Sequence, residues 1–102
     1  MQARIEGSRL IHSRTARQQF RQAILSSWGH ACAYCGNPAC TLDHVRARAK
    51  GGHTTQANLV AACPQCNSRK GSLDWLAWFR EQVFWDPERE ADLWLWIHQA
   101  PT

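Results

Sequence analysis

The chain has 102 residues and a mass of 11.6 kDa, room for one domain, and its 44% hydrophobic and 20% charged residues are those of a globular chain, not a disordered one. No run of about 18 apolar residues occurs, which excludes a membrane-spanning helix. Ten Lys and Arg against two Asp and Glu give residues 1–71 a charge of +8, and two against six give residues 72–102 a charge of −4, which suits a polyanionic partner at one end of the molecule.

Residues 1–14 read as an irregular or weakly helical basic arm. Their arginines and lack of an apolar core predict no secretory signal, hence an intracellular, cytoplasmic setting. From Thr15 to about Trp28 the spacing of Phe20, Ile24, Leu25 and Trp28 predicts a helix, with Arg17 and Arg21 on another face and Gly29 as its stop. Residues 29–40 read as a loop. Thr41 to Arg46 reads as a short strand, Ala47 to Ala57 as a loop around Gly51-Gly52, and Asn58 to Ala62 as a second strand. Pro64 predicts a helix start, and Gly71-Ser72 interrupts that helix. DWLAWFREQVF predicts an amphipathic helix. Asp86 is the expected N-cap of a last helix over 87–99, with Glu88, Glu90 and Asp92 at the positive end of its dipole.

Five of the six tryptophans follow residue 74. Trp75, Trp78, Phe79, Val83 and Phe84 or Trp85 form one apolar stripe, and Leu93, Trp94 and Ile97 form another. Such stripes pack on the middle of the chain to enlarge a small core, or they serve a protein partner or self-association. The acidic charge around them disfavours base stacking.

Five cysteines in a short chain without a signal point to metal more than to disulfides. Cys32 and Cys35 form one C-x-x-C pair, Cys63 and Cys66 a second, and 27 residues separate the pairs. Four thiolates complete a tetrahedron around Zn²⁺ and leave no open position for water, so the predicted zinc is structural. Redox chemistry is the other use of such pairs. Cys40 is left over as a small apolar residue.

Within the bracket of cysteines lie Asp43-His44 on the first strand, Asn58 opening the second, and Asn67 just after the last cysteine. Asp and Asn supply hard oxygen ligands that suit Mg²⁺ or a similar ion, and His44 titrates near neutrality and can take a proton from water. Arg69 and Lys70 sit in the first turns of the predicted helix, where phosphate is favoured. Arg46, Arg48, Lys50 and His53 populate the loop between the strands and suit backbone phosphate. Neighbours on a regular strand point to opposite faces, so the strand must end, bulge or twist at Asp43-His44 for both to serve one site.

CAYCG, LDHV, the Gly-Gly of KGG, NLV and CPQCNSRKG stand in an order that resembles the HNH endonucleases, specifically the subgroup whose ββα-metal unit is clasped by four cysteines. The resemblance runs from Cys32 to Gly71. It implies an α+β fold with a zinc-clasped ββα core that binds one divalent cation, Mg²⁺ or Mn²⁺, and cuts DNA, usually duplex DNA. By position it implies His44 as general base, Asp43 and Asn67 as ligands of the catalytic ion, and Asn58 as the residue that orients His44. Cys32, Cys35, Cys63 and Cys66 become the structural zinc set. Two departures stand out: Val45-Arg46-Ala47-Arg48 lacks the Pro that often follows Asp-His, and Asn67 replaces the His of some relatives, a change that favours Mg²⁺ or Mn²⁺ over softer ions.

The expected organisation is one HNH endonuclease domain over 1–102: a basic arm and helix at 1–29, the core at 30–71, and tryptophan-rich helices at 72–102. Two further readings remain open on sequence alone, a non-catalytic zinc-bracketed DNA-binding module and an accessory nuclease subunit that works only with a partner.

Overall fold

Nothing between Ile5 and Ser27 breaks a helix beyond one glycine, and in the computed structural model this whole stretch is a single helix, α1 (Ile5–Ser27). The structure describes residues 5–99 and the side chains of residues 14–99. The expected boundary between arm and helix near Thr15 is therefore absent, and residues 1–4 of the expected arm lie outside the described residues. From Arg14 to Ala23 every side chain is exposed, Phe20 included at 38%. Among the described side chains of this helix only Ile24 and Leu25 reach the core, and Trp28 packs against it just beyond the helix. The helix stops as expected at Gly29, whose φ of 63° is followed by a left-handed His30.

Strands β1 (Thr41–His44) and β2 (Leu59–Ala62) pair antiparallel, with Asp43 opposite Val60 and His44 opposite Leu59. All four residues of β2 are buried, so β2 is the floor of the molecule. The strand expected to reach Arg46 ends at His44. The backbone N–H of Arg46 donates to the Asn58 side chain at 2.8 Å, so a side chain replaces the next rung of the ladder. The loop that follows folds back through two 3-10 turns, Arg48–Lys50 and Gln56–Asn58. Gly52 is required there, since a Cβ would lie 1.8 Å from the Arg46 carbonyl oxygen.

Helix α2 (Pro64–Lys70) starts at the predicted proline, with Cys63 as N-cap. Helices α3 (Trp75–Arg80) and α4 (Pro87–Ile97) are capped by Asp74, which accepts from Ala77 N–H at 2.9 Å, and by Asp86, which accepts from Arg89 N–H at 3.1 Å. Helix α3 is shorter than its apolar pattern predicts. Residues 81–85 turn instead, which leaves Val83 fully exposed and outside the predicted stripe.

Trp78, Phe79 and Leu93 of the tail join Leu25, Tyr34, Val45 and Val60 in one core, with Trp28, Trp75, Phe84, Trp96 and Ile97 packed against it. Trp94 is 40% exposed and Leu95 73%. The tail is also tied by polar contacts. The Trp96 indole N–H is shared by the carbonyls of Gln56 and Leu59, each at 2.8 Å, so α4 holds the turn that carries Asn58. Glu90 accepts from Arg80 at 2.6 and 2.9 Å, from the Trp85 indole at 2.8 Å and from the Trp94 indole at 3.3 Å.

Those bonds, the Arg80 guanidinium first and the Trp85 indole next, pull the Glu90 carboxyl down to about 2 from an ordinary 4.5. A depressed carboxyl stabilises the fold above its unfolded pKa and loses that effect as pH falls toward the folded value. The melting temperature of wild type is therefore expected to exceed that of Glu90→Gln at pH 7, with the gap closing as pH drops from 4.5 toward 2. A gap independent of pH would show that the charge at Glu90 does not matter.

Candidate active site

The four cysteines of the two C-x-x-C pairs meet. Their sulfurs all lie within 4.8 Å of one another, and Cys35 and Cys63 are 3.7 Å apart. Four thiolates bound at about 2.3 Å around tetrahedral zinc sit about 3.8 Å from each other, so the cluster is compatible with a structural zinc. The first knuckle is formed by hydrogen bonds from Gly36 N–H to Cys32 O at 2.9 Å and from Cys32 N–H to Asn37 O at 2.7 Å. Gly36 has a φ of 82°, and a Cβ on it would lie 2.2 Å from the Arg89 guanidinium, which lies over the turn. The second knuckle is the N-terminus of α2, where Cys66 N–H donates to Cys63 Sγ at 3.4 Å.

The Cys32 thiol is pulled down to about 4, chiefly by the Cys66 S–H, while Cys66 is pushed up by that same bond and Cys35 by burial. One negative charge is thus favoured in the cluster and further ones are resisted.

The zinc-type cluster carries the ββα unit, and the polar residues sit where β1 ends. Asp43 faces inward and is 4% exposed. Its Oδ2 accepts from the Tyr34 hydroxyl at 2.7 Å and lies 3.1 Å from the Lys70 ammonium, whose distance to Oδ1 is 3.5 Å. Burial raises the Asp43 carboxyl above its ordinary value, against the opposing pull of Lys70 and Tyr34. Lys70 also donates to the His44 carbonyl at 2.9 Å. Asn67 donates from Nδ2 to the Leu42 carbonyl at 3.0 Å, and its Oδ1 has no protein donor among the described residues. Asn67 and Lys70 are one turn apart on α2 and together strap that helix across β1.

His44 is half-buried at the end of β1, with Nε2 2.9 Å from Thr54 Oγ1. Burial, against the opposing charge of Asp43 and with help from Arg48 and Lys70, lowers its pKa below the ordinary value. Among the described residues the Asn58 side chain makes no hydrogen bond to His44. Its side chain donates to the carbonyls of Arg46 at 3.0 Å and His53 at 2.8 Å and accepts from Arg46 N–H, so it pins the loop that leaves His44.

Of the six residues expected to meet phosphate, Arg46, Arg48, Lys50, His53 and Arg69 are exposed. Lys70 is fully buried and its ammonium is committed to Asp43 and His44, so it is not part of an outer basic surface. Arg46 and Lys50 border a cleft of about 440 Å³ between the loop and residues 72–75. Sequence reasoning missed Tyr34 and Thr54. Neither carries a local signal, because each acts on a residue about ten positions away. The pairing of Asn67 with Lys70 was readable as an i, i+3 face of the predicted helix.

Structural zinc contributes about 10–16 kcal/mol in finger peptides, and here Cys63 both joins the cluster and caps α2. Cys63→Ser is expected to lose the metal and to unfold, as read by zinc content and circular dichroism. A folded, soluble, zinc-free variant would overturn the structural role.

Against known proteins, the HNH endonuclease family model matches residues 32–73. The CRISPR-associated endonuclease Cas9 of Corynebacterium diphtheriae is 44% identical over 52 residues. That match takes in 46% of this chain but only 5% of the Cas9 protein, so the chain corresponds to a small piece of that relative. No solved structure matches. With this match laid over two strands and a helix held between four clustered cysteines, the chain carries an HNH endonuclease-family segment at residues 32–73.

Proposed function

We propose that the chain is a metal-dependent HNH endonuclease that hydrolyses phosphodiester bonds in duplex DNA, by nicking or by cutting both strands. The observation that supports this reading is the placement of His44, with its lowered pKa, and the Asp43 carboxylate at the end of β1, with the Asn67 amide oxygen, which has no protein donor among the described residues, on the adjoining helix α2. A His with lowered pKa is a base in the right form at neutral pH. If the His44 Nε2–H donates to Thr54 Oγ1, Nδ1 is left with the lone pair that takes a proton from water. Asp43 Oδ1 and Asn67 Oδ1 are the hard donors that would hold Mg²⁺ or Mn²⁺. Such an ion, when bound, neutralises charge on the phosphate and the leaving oxygen. Asn58 orients His44 by fixing the backbone that follows it. The exposed Arg46, Arg48, Lys50, His53 and Arg69 meet backbone phosphates around the cut, which gives affinity without choice of sequence. Zinc in the cysteine cluster serves the fold alone. Four reduced thiols suit a cytoplasmic setting. The unit of function is the whole span 1–102, with the basic helix, the zinc-clasped core and the tryptophan-rich helices acting as one domain.

A plasmid cleavage assay in Mg²⁺, Mn²⁺ and EDTA tests the reading. Wild type is expected to nick or linearise supercoiled plasmid only with added metal. His44→Ala is expected to fall by ~10²–10⁴-fold while keeping fold and zinc. The wild-type rate is expected to rise with pH through a midpoint below 6.5 and then level off, since the neutral ring is the active form. Cleavage by His44→Ala at the wild-type rate sinks the base assignment. If both proteins are inert yet retard DNA in a gel at low salt, the chain is a binding module or needs a partner.

A further inference from the structure

We infer that the exposed stretch of α1 is a docking surface for the sugar-phosphate backbone of duplex DNA, held by a row of three arginines, Arg14, Arg17 and Arg21. The inference rests on the reading of DNA as the partner, and it adds a contact outside the family segment at residues 32–73.

Helical spacing sets the row. Arg14, Arg17, Arg21 and Ile24 follow one another at intervals of three and four residues, the repeat that keeps side chains on one face of a helix. Arg17 and Arg21 are thus in line with Ile24, where another face was expected for them. Ile24 is buried, and Arg21 lies against the body of the molecule, since its guanidinium donates to the Cys40 carbonyl at 2.9 Å. Further out, Arg14 and Arg17 are exposed. The face that packs on the core at the end of the helix therefore continues away from it as cations.

Composition decides what such a face can receive. Residues 7–42 contain no Asp or Glu, so no carboxylate from that part of the chain offsets the row. A helix that docks in a protein groove or on a membrane surface needs apolar anchors three, four and seven residues apart. Between Arg14 and Ala23 the one large apolar side chain is Phe20, and the rest are Arg, Gln, Thr and Ala. Gln18, Gln19 and Gln22 are neutral donors that suit phosphate and sugar oxygens. Cations and amides without an apolar stripe fit a polyanion.

The dimensions agree. At 1.5 Å of rise per residue the row from Arg14 to Arg21 is about 10 Å long, which covers about three phosphates of one strand at 3.4 Å each. The Cys40 carbonyl held by Arg21 precedes β1 and His44 ends it, so about 13 Å of strand separates the two. That length equals about four base pairs of duplex. The row thus meets backbone to one side of the cut, apart from the loop cations Arg46, Arg48 and Lys50.

The test is Arg14→Gln/Arg17→Gln, which removes two charges from exposed positions and leaves the Arg21 anchor. Zinc-loaded wild type, this variant and Arg14→Lys/Arg17→Lys are titrated by fluorescence anisotropy against two labelled 20-base-pair duplexes of unrelated sequence, over a series of NaCl concentrations and without added Mg²⁺ or Mn²⁺. Circular dichroism and zinc content check the fold. The Gln variant is expected to bind both duplexes roughly 10–100-fold more weakly at about 0.1 M salt, and its slope of log affinity against log salt is expected to be shallower by about two. The Lys variant is expected to keep most of the affinity and the full slope, because charge is what the backbone reads. A Gln variant with the affinity and slope of wild type overturns the docking surface and leaves the DNA reading standing. A loss confined to one of the two duplexes, or an equal loss in the Lys variant, overturns backbone recognition. If wild type itself binds neither duplex at low salt, the DNA reading and this inference fall together.

Discussion

Everything in this small fold hangs on four sulfurs drawn to within 4.8 Å of one another from two places far apart in the chain. Joining the knuckle at Cys32 and Cys35 to the start of α2 at Cys63 and Cys66 closes a loop of about thirty residues, and a covalent link over such a loop removes on the order of 3–4 kcal/mol of unfolded-chain entropy. A sheet of two four-residue strands has no independent stability. The cysteine cluster is compatible with a zinc that would supply what a core of this size does not. The same closure decides where the polar residues go, because β1, β2 and the loop between them all lie inside it.

The second constraint is the burial of Asp43. An ionised carboxylate inside a protein is tolerated when it is paired and hydrogen-bonded, and removal of one partner is costly. Here the partners come from both knuckles, Tyr34 from the first and Lys70 from the helix begun by the second. Packing and chemistry therefore use the same contacts. The lysine that balances the carboxylate anchoring α2 against β1 also holds the carbonyl of His44, the last of β1.

The tail contributes by reach as well as by bulk. Trp78, Phe79 and Leu93 fill the core around Tyr34 and β2. The Trp96 indole holds the turn before β2, and with it the position of Asn58. Asn58 in turn holds the loop that follows His44. A chain of bonds thus runs from the last helix to the loop that leaves His44.

What the residues alone determined was the inventory and its order: two C-x-x-C pairs, Asp-His before the loop, Asn58 after it, and Asn67 behind the last cysteine. Such features are local, and local chemistry also placed Gly29, Pro64 and Asp86 at the ends of helices, where each was expected. Tertiary structure decided the partners. A lysine one residue from an exposed arginine reads as surface in the sequence, yet Lys70 is buried because a carboxylate waits for it across the helix. Tyr34 reads as one more aromatic between two cysteines until the fold brings Asp43 to its hydroxyl. The length of α3 and the exposure of Val83 were likewise set by packing, since an apolar pattern states which face a helix would bury but not where its neighbours end. Side-chain pairing between distant residues has no period and no spacing, and only the folded chain fixes it.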